Sequence, residues 1–218
     1  MHYLLVGNAP HDDLQALAIK SDIIIQMNSC IHAETLSPFP SQYVFGTNTG
    51  RPLVKWTTQI REHRNRGWLQ NPVVILARNP NFYRLKRYLQ LAKLETDSQS
   101  FTPSNDWKEL GRDWRIELMS YSASSSLEKK MRLLGMESNS MPSTGMVAYD
   151  WICNRLTEDD SLTLAGFTFE GWQRHPWHIE KDIIKPSAVG VKKYWFEEFL
   201  GKQPKNADSS HHQDEEAK

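Results

Sequence analysis

The chain has 218 residues with 26 basic and 26 acidic side chains, so its formal net charge is zero. That balance excludes a general electrostatic grip on nucleic acid or on an anionic membrane as the basis of function. Two cysteines, Cys30 and Cys153, are too few and too far apart for a disulfide framework or a zinc site, and they suit a reducing compartment.

From the start of the chain, "HYLLVG" is a short apolar run ended by glycine, as buried strands of α/β sheets are. "DDLQALAIKS" has helical spacing, with Asp12 or Asp13 placed to cap or charge its first turn. "DIIIQMN" is a second strand, and this order opens a compact doubly wound unit. "QYVFGTN" is a third strand, and "RPLVKWTTQIREHRNRG" is a helix with Pro52 near its start and Gly67 at its end. "PVVILAR" is a fourth strand, and "NFYRLKRYLQLAKLE" is helical with a basic face. Residues 96–113 read as a surface loop and "WRIELMSY" as a strand. "SSSLEKKMRLLGM" is a serine-capped helix ending at Gly135. Helix 143–156, strand "SLTLAGFTF" and an amphipathic helix "VKKYWFEEFL" complete the series.

Strands alternating with helices predict an α/β fold of the modified doubly wound (Rossmann-like) kind, with a mostly parallel sheet. One α/β domain is expected over 1–204, with a disordered polar tail over 205–218. The first residues lack the basic region of a signal peptide, and no apolar run is long enough to span a bilayer. The expectation is a cytoplasmic protein, at most peripheral at the inner membrane.

Four segments bear chemistry. In "VGNAP", Gly7 leaves the first strand where a ligand can approach the backbone, and Asn8 offers a donor and an acceptor. Asn28 sits just past the carboxyl end of the second strand, where α/β ligands collect. Either segment is equally at home as a plain turn. In "PSTG", Ser143 or Thr144 caps a helix whose first N–H groups and positive dipole end suit a phosphate or carboxylate. Gly145 costs helix stability in that first turn, a cost explained if a ligand must touch the backbone. In "QRHPWHIEK", one of His175 and His178 is a candidate general base, with Glu180 to orient it; two surface histidines in a loop is the plainer meaning. There is no D-x-D, no G-x-S-x-G and no phosphate-binding P-loop.

In order and placement, these segments resemble the animal-type sialyltransferase family, whose enzymes use CMP-sialic acid. "LLVGNAPHDDLQALAIKSDIIIQMN" is similar to its large motif, with "VGN" near the start and a second asparagine at the end. "PSTGMVAYDWICNRLTEDDSLTLAGF" is similar to its small motif, and His175 to Glu180 matches its closing His, four residues, Glu. The likeness covers about a third of the chain. It implies a metal-independent inverting glycosyltransferase with no cofactor beyond the CMP-sugar donor. It places CMP against Asn8 and Asn28 and the donor against Ser143, Thr144 and Gly145. It makes His175 the base for the acceptor hydroxyl of a glycan or glycolipid. Gln26 stands where the family has arginine, and Cys30 and Cys153 do not match its paired cysteines, so both thiols are expected free. The aromatic-histidine motif has no clean counterpart, which leaves His178 as a phosphate contact or substitute base. CMP-Kdo is as fitting a donor as CMP-sialic acid, with lipopolysaccharide or capsule as the setting. The basic helix 81–93 could meet an anionic glycolipid, though a solvated face is its plainer meaning. Two rivals remain: a nucleotide-binding module without catalysis, and a metal hydrolase built on His175, His178 and Glu180.

Overall fold

The computed structural model describes residues 1–48, 50–83, 85 and 111–184. The expected helix beyond 85, the loop over 96–110, the helix over 191–200 and the tail over 205–218 lie outside these residues. The strands are β1 (His2–Val6), β2 (Ile23–Met27), β3 (Tyr43–Gly46), β4 (Val73–Leu76), β5 (Ile116–Leu118) and β6 (Ser161–Ala165). They form one sheet in the order β5-β4-β3-β2-β1-β6, and every pairing is parallel. The helices are α1 (Leu14–Ala18), α2 (Gly50–Asn65), α3 (Tyr121–Leu133), α4 (Thr144–Cys153) and α5 (Trp177–Ile184).

Both faces of the sheet are covered, which is why its strands are apolar throughout rather than alternating. Leu4, Val6 and Ile24 point to α1, where Leu14 and Ala18 meet them. Val44, Val74 and Leu76 meet Leu53, Trp56 and Ile60 of α2, whose three- and four-residue spacing makes one apolar stripe. On the opposite face Leu5, Ile25, Phe45 and Ile75 pack under Leu127 and Met131 of α3, Met146 and Ile152 of α4, and Ile179 and Ile183 of α5. This is the doubly wound α/β arrangement. Helix α4 is the most deeply set of the five: Thr144 through Tyr149 and Ile152 are all buried.

Several local expectations change. Asp13 occupies the N-cap of α1, but no side chain caps that helix; instead the Asp13 N–H donates to Nδ1 of His11 at 3.2 Å. Helix α3 begins three residues before the serine run, with Ser120 Oγ accepting from the Ala123 N–H. The "HPWHIE" segment is not a loop. Pro176 sets the start of α5, its carbonyl accepting from the Glu180 N–H at 3.0 Å, and Ile179, Ile183 and Ile184 bury one face. The helical period there was hidden because only eight residues carry it.

Candidate functional site

The chain runs outward from β1 through β2, β3, β4 and β5, then returns to place β6 on the other side of β1. In a doubly wound sheet such a reversal marks the crevice at the strands' carboxyl ends where ligands collect. Gly7 and Gly166 leave the two strands at this point. The Gly7 N–H donates to the Ala165 carbonyl at 2.7 Å and the Ala9 N–H to the Gly166 carbonyl at 3.0 Å. A Cβ on Gly7 would fall 2.0 Å from the Gly166 oxygen. Gly7 is therefore required by backbone-to-backbone packing. Asn8, just beyond, is exposed.

The Phe167 ring joins two of the predicted segments. A Cβ at position 7 would lie 3.2 Å from its Cδ2, and one at position 145 would lie 2.7 Å from its Cε1. The absence of a side chain in the first turn of α4 is thus accounted for by this ring. The same hypothetical Cβ lies 3.4 Å from Sδ of Met27, next to Asn28. Asn28 takes φ +47°, a left-handed conformation asparagine tolerates. Its Oδ1 accepts from the Thr47 N–H at 2.9 Å, which leaves its Nδ2 as the group it can offer.

Ser143 is the N-cap of α4, with Oγ accepting from the Met146 N–H at 3.0 Å. Glu180 does not orient either histidine, contrary to expectation. From α5 it reaches back to Ser143, Oε1 accepting from the Ser143 N–H at 2.7 Å and Oε2 from its hydroxyl at 2.6 Å. The carboxylate thus takes part of the anion-binding capacity of the helix start. No acceptor among the described residues takes the N–H groups of Thr144 and Gly145. Burial pushes the Glu180 carboxyl up to about 7, against the Ser143 bonds and the Arg78 charge, which favour ionisation.

His175 is anchored to the segment before the helix. Its Nδ1 lies 2.9 Å from the Met141 carbonyl, and the Met141 N–H donates to the Arg174 carbonyl at 3.1 Å. A carbonyl only accepts, so Nδ1 carries the proton and Nε2 keeps the lone pair. The ring stands between Trp172 and Trp177, each 4.9 Å away and edge-on. Burial, helped by the Arg78 charge, holds the imidazole at about 4 against the Met141 bond. It is therefore neutral and able to accept a proton at physiological pH. His178 is exposed on α5. The trio of the metal alternative does not assemble, and no group of three His, Cys, Asp or Glu that could hold a metal exists among the described residues. Cys30 and Cys153 are both free thiols.

Two site residues escaped the sequence reading. Arg78, at the carboxyl end of β4, is 1% exposed, and its Nη2 donates to the Pro142 carbonyl at 2.5 Å. Asn48, past β3 and fully buried, holds the Arg78 backbone from both sides: its Nδ2 donates to the Arg78 carbonyl at 2.9 Å and its Oδ1 accepts from the Arg78 N–H at 3.0 Å. The available signal was position: a polar residue directly after an apolar parallel strand stands at the ligand edge of the sheet. No protein-family model matches the chain, and no curated protein shows significant similarity to it.

Proposed function

We propose that the protein is a metal-independent inverting glycosyltransferase that moves a ulosonic acid, sialic acid or Kdo, from its CMP-activated donor to a glycan or glycolipid hydroxyl. The reading rests on the sialyltransferase-like motifs. The observation that carries it is their convergence: the Phe167 ring of the closing "GF" touches the positions of both Gly7 and Gly145, while His175 hangs from the carbonyl of Met141, two residues before Ser143. Positions 7 and 167, 160 residues apart in sequence, meet where β1 and β6 end.

In this reading the acceptor hydroxyl attacks the anomeric carbon as Nε2 of His175 takes its proton. The bond to CMP breaks on the opposite face, and its electron pair leaves with the phosphate. The open N–H groups of Thr144 and Gly145, at the positive end of α4, stabilise the charge that develops there. Glu180 is a positioning residue, tying the cap of α4 to the helix that follows His175. Asn8 and Asn28 supply amide contacts to CMP.

Titration calorimetry with CMP in the presence of a chelator, followed by transfer assays with CMP-Kdo and CMP-sialic acid, tests the reading. CMP binding and turnover of one donor are expected. CMP binding with no turnover of either donor would favour the non-catalytic module. No binding at millimolar CMP would remove the proposal.

A further inference from the structure

We infer that Arg78 and the start of α4 together hold an anionic oxygen group, a phosphate or a carboxylate, against the guanidinium. Nε and Nη1 are buried and make no hydrogen bond of good geometry among the described residues, although the guanidinium interacts with the Tyr83 hydroxyl. No ion pair among those residues includes Arg78. A guanidinium out of water without an ion-pair partner is costly, and the cost is relieved by an anion that accepts from it. Nη2 spends one N–H on Pro142, and its other N–H forms with Nε or with Nη1 a two-pronged edge that matches the two oxygens of a carboxylate or phosphate, which a lysine ammonium would not.

The placement is built. Asn48 clamps the Arg78 backbone, and the Nη2 bond to Pro142 fixes the guanidinium against the residue that precedes the cap of α4. The Thr144 and Gly145 N–H groups supply a second set of donors from that helix. The Tyr83 ring lies over the guanidinium, 5.7 Å from its carbon, and is itself buried. Access therefore requires a covering side chain to swing aside. Arg78 also bears on the base: its charge helps hold His175 neutral, and a bound anion offsets that effect.

The inference rests on the donor reading only for the ligand's identity, since a CMP-ulosonic acid carries both a phosphate and a carboxylate. Calorimetry on the full chain with CMP, cytidine, inorganic phosphate and the free ulosonic acids separates the sources. Arg78→Lys and Arg78→Met, checked for folding by circular dichroism, supply the comparison. CMP is expected to bind wild type at least about tenfold tighter than cytidine, and Arg78→Lys to weaken CMP about tenfold while leaving cytidine unchanged. If a free ulosonic acid is the Arg78-dependent ligand instead, the anion is the carboxylate and the inference stands. Folded variants that bind every anion as wild type does would overturn it, while CMP binding would leave the donor reading intact. Arg78-dependent binding of phosphate or sugar acid without CMP binding would keep the anion site and remove the donor reading. If neither variant folds, the wild-type comparison decides: equal affinity for CMP and cytidine, with none for the free acids or phosphate, overturns the inference.

Discussion

Replacing Glu180 by Gln should make the protein relatively more stable as pH rises. The buried carboxyl has its folded value raised from 4.5 to about 7. The sign follows from proton counting. Between those values the folded state binds more protons than the unfolded state, so the contribution of Glu180 to stability falls as pH increases and is lowest above 7. A displacement of that size corresponds to about 3 kcal/mol between acid and alkaline limits. Gln keeps the shape and an acceptor for the Ser143 N–H but cannot ionise. Its lost or altered hydrogen bonds shift the variant by an amount that does not depend on pH. The difference in unfolding free energy, Gln variant minus wild type, should therefore climb by about 3 kcal/mol from pH 4 to pH 8. Urea titrations across that range measure it, and every other carboxylate cancels in the subtraction. His175 makes the comparison sharper. Its folded value is lowered from 6.5 to about 4, so its contribution rises with pH over nearly the same interval and masks Glu180 in the wild type. His175→Asn should unmask the fall directly. A flat or descending difference curve for Glu180→Gln would show that the carboxyl is not held protonated by burial.

His175→Ala should abolish transfer and leave CMP affinity within about twofold, whereas His178→Ala should leave both near wild type, read by donor assay and calorimetry. Gly145→Ala drives a methyl to 2.7 Å from the Phe167 ring, which should cost about 1–3 kcal/mol in urea titrations despite the better helix propensity of alanine; Phe167→Leu in the same chain should recover part of it. Asn48→Ala leaves the buried N–H and carbonyl of Arg78 without partners and should cost about 2 kcal/mol or more, with CMP affinity falling alongside; loss of affinity without loss of stability would place Asn48 in the ligand contact itself. The acidic limb of kcat should lie at higher pH than that of kcat/KM, because the bound donor offsets the Arg78 charge beside His175; coincident limbs would disconnect Arg78 from the base.

The sheet was legible because a parallel sheet covered on both faces writes its strands as apolar runs, and "LLV", "III" and "VVIL" are unambiguous. Ser143 as cap and Gly135 and Gly67 as helix stops were legible because each is a local backbone requirement; the two glycines adopt φ +97° and +74°. The partners of the site residues were not. Glu180 pairs with Ser143 across 37 residues, and Arg78 with Pro142 across 64. Such contacts are set by strand order, which the order of segments in the sequence does not fix. The glycines show the same limit from the other side. That Gly7 and Gly145 needed a missing Cβ was readable, but the occupant of the space was not: the backbone of Gly166 in one case and the ring of Phe167 in the other.

These long-range pairs give the site its electrostatic character. The chain places one cation, one carboxyl and one imidazole in a single buried neighbourhood, and each is held in a costly state. Arg78 makes no ion pair among the described residues, Glu180 ionises only against burial, and His175 stays neutral well below its ordinary value. Both oxygens of Glu180 bond Ser143 rather than Arg78, although the Arg78 charge favours its ionisation. In the proposed function, a donor bearing a phosphate or carboxylate would supply an opposing charge. With that charge in place the Arg78 field on the imidazole would be offset, and Nε2 would become the stronger base at the moment the donor is present. The free protein would hold a weaker base until then. In the proposed function, ligand recognition and proton abstraction would in this way be coupled through Arg78, which bonds the Pro142 carbonyl next to the Met141 carbonyl that anchors the imidazole.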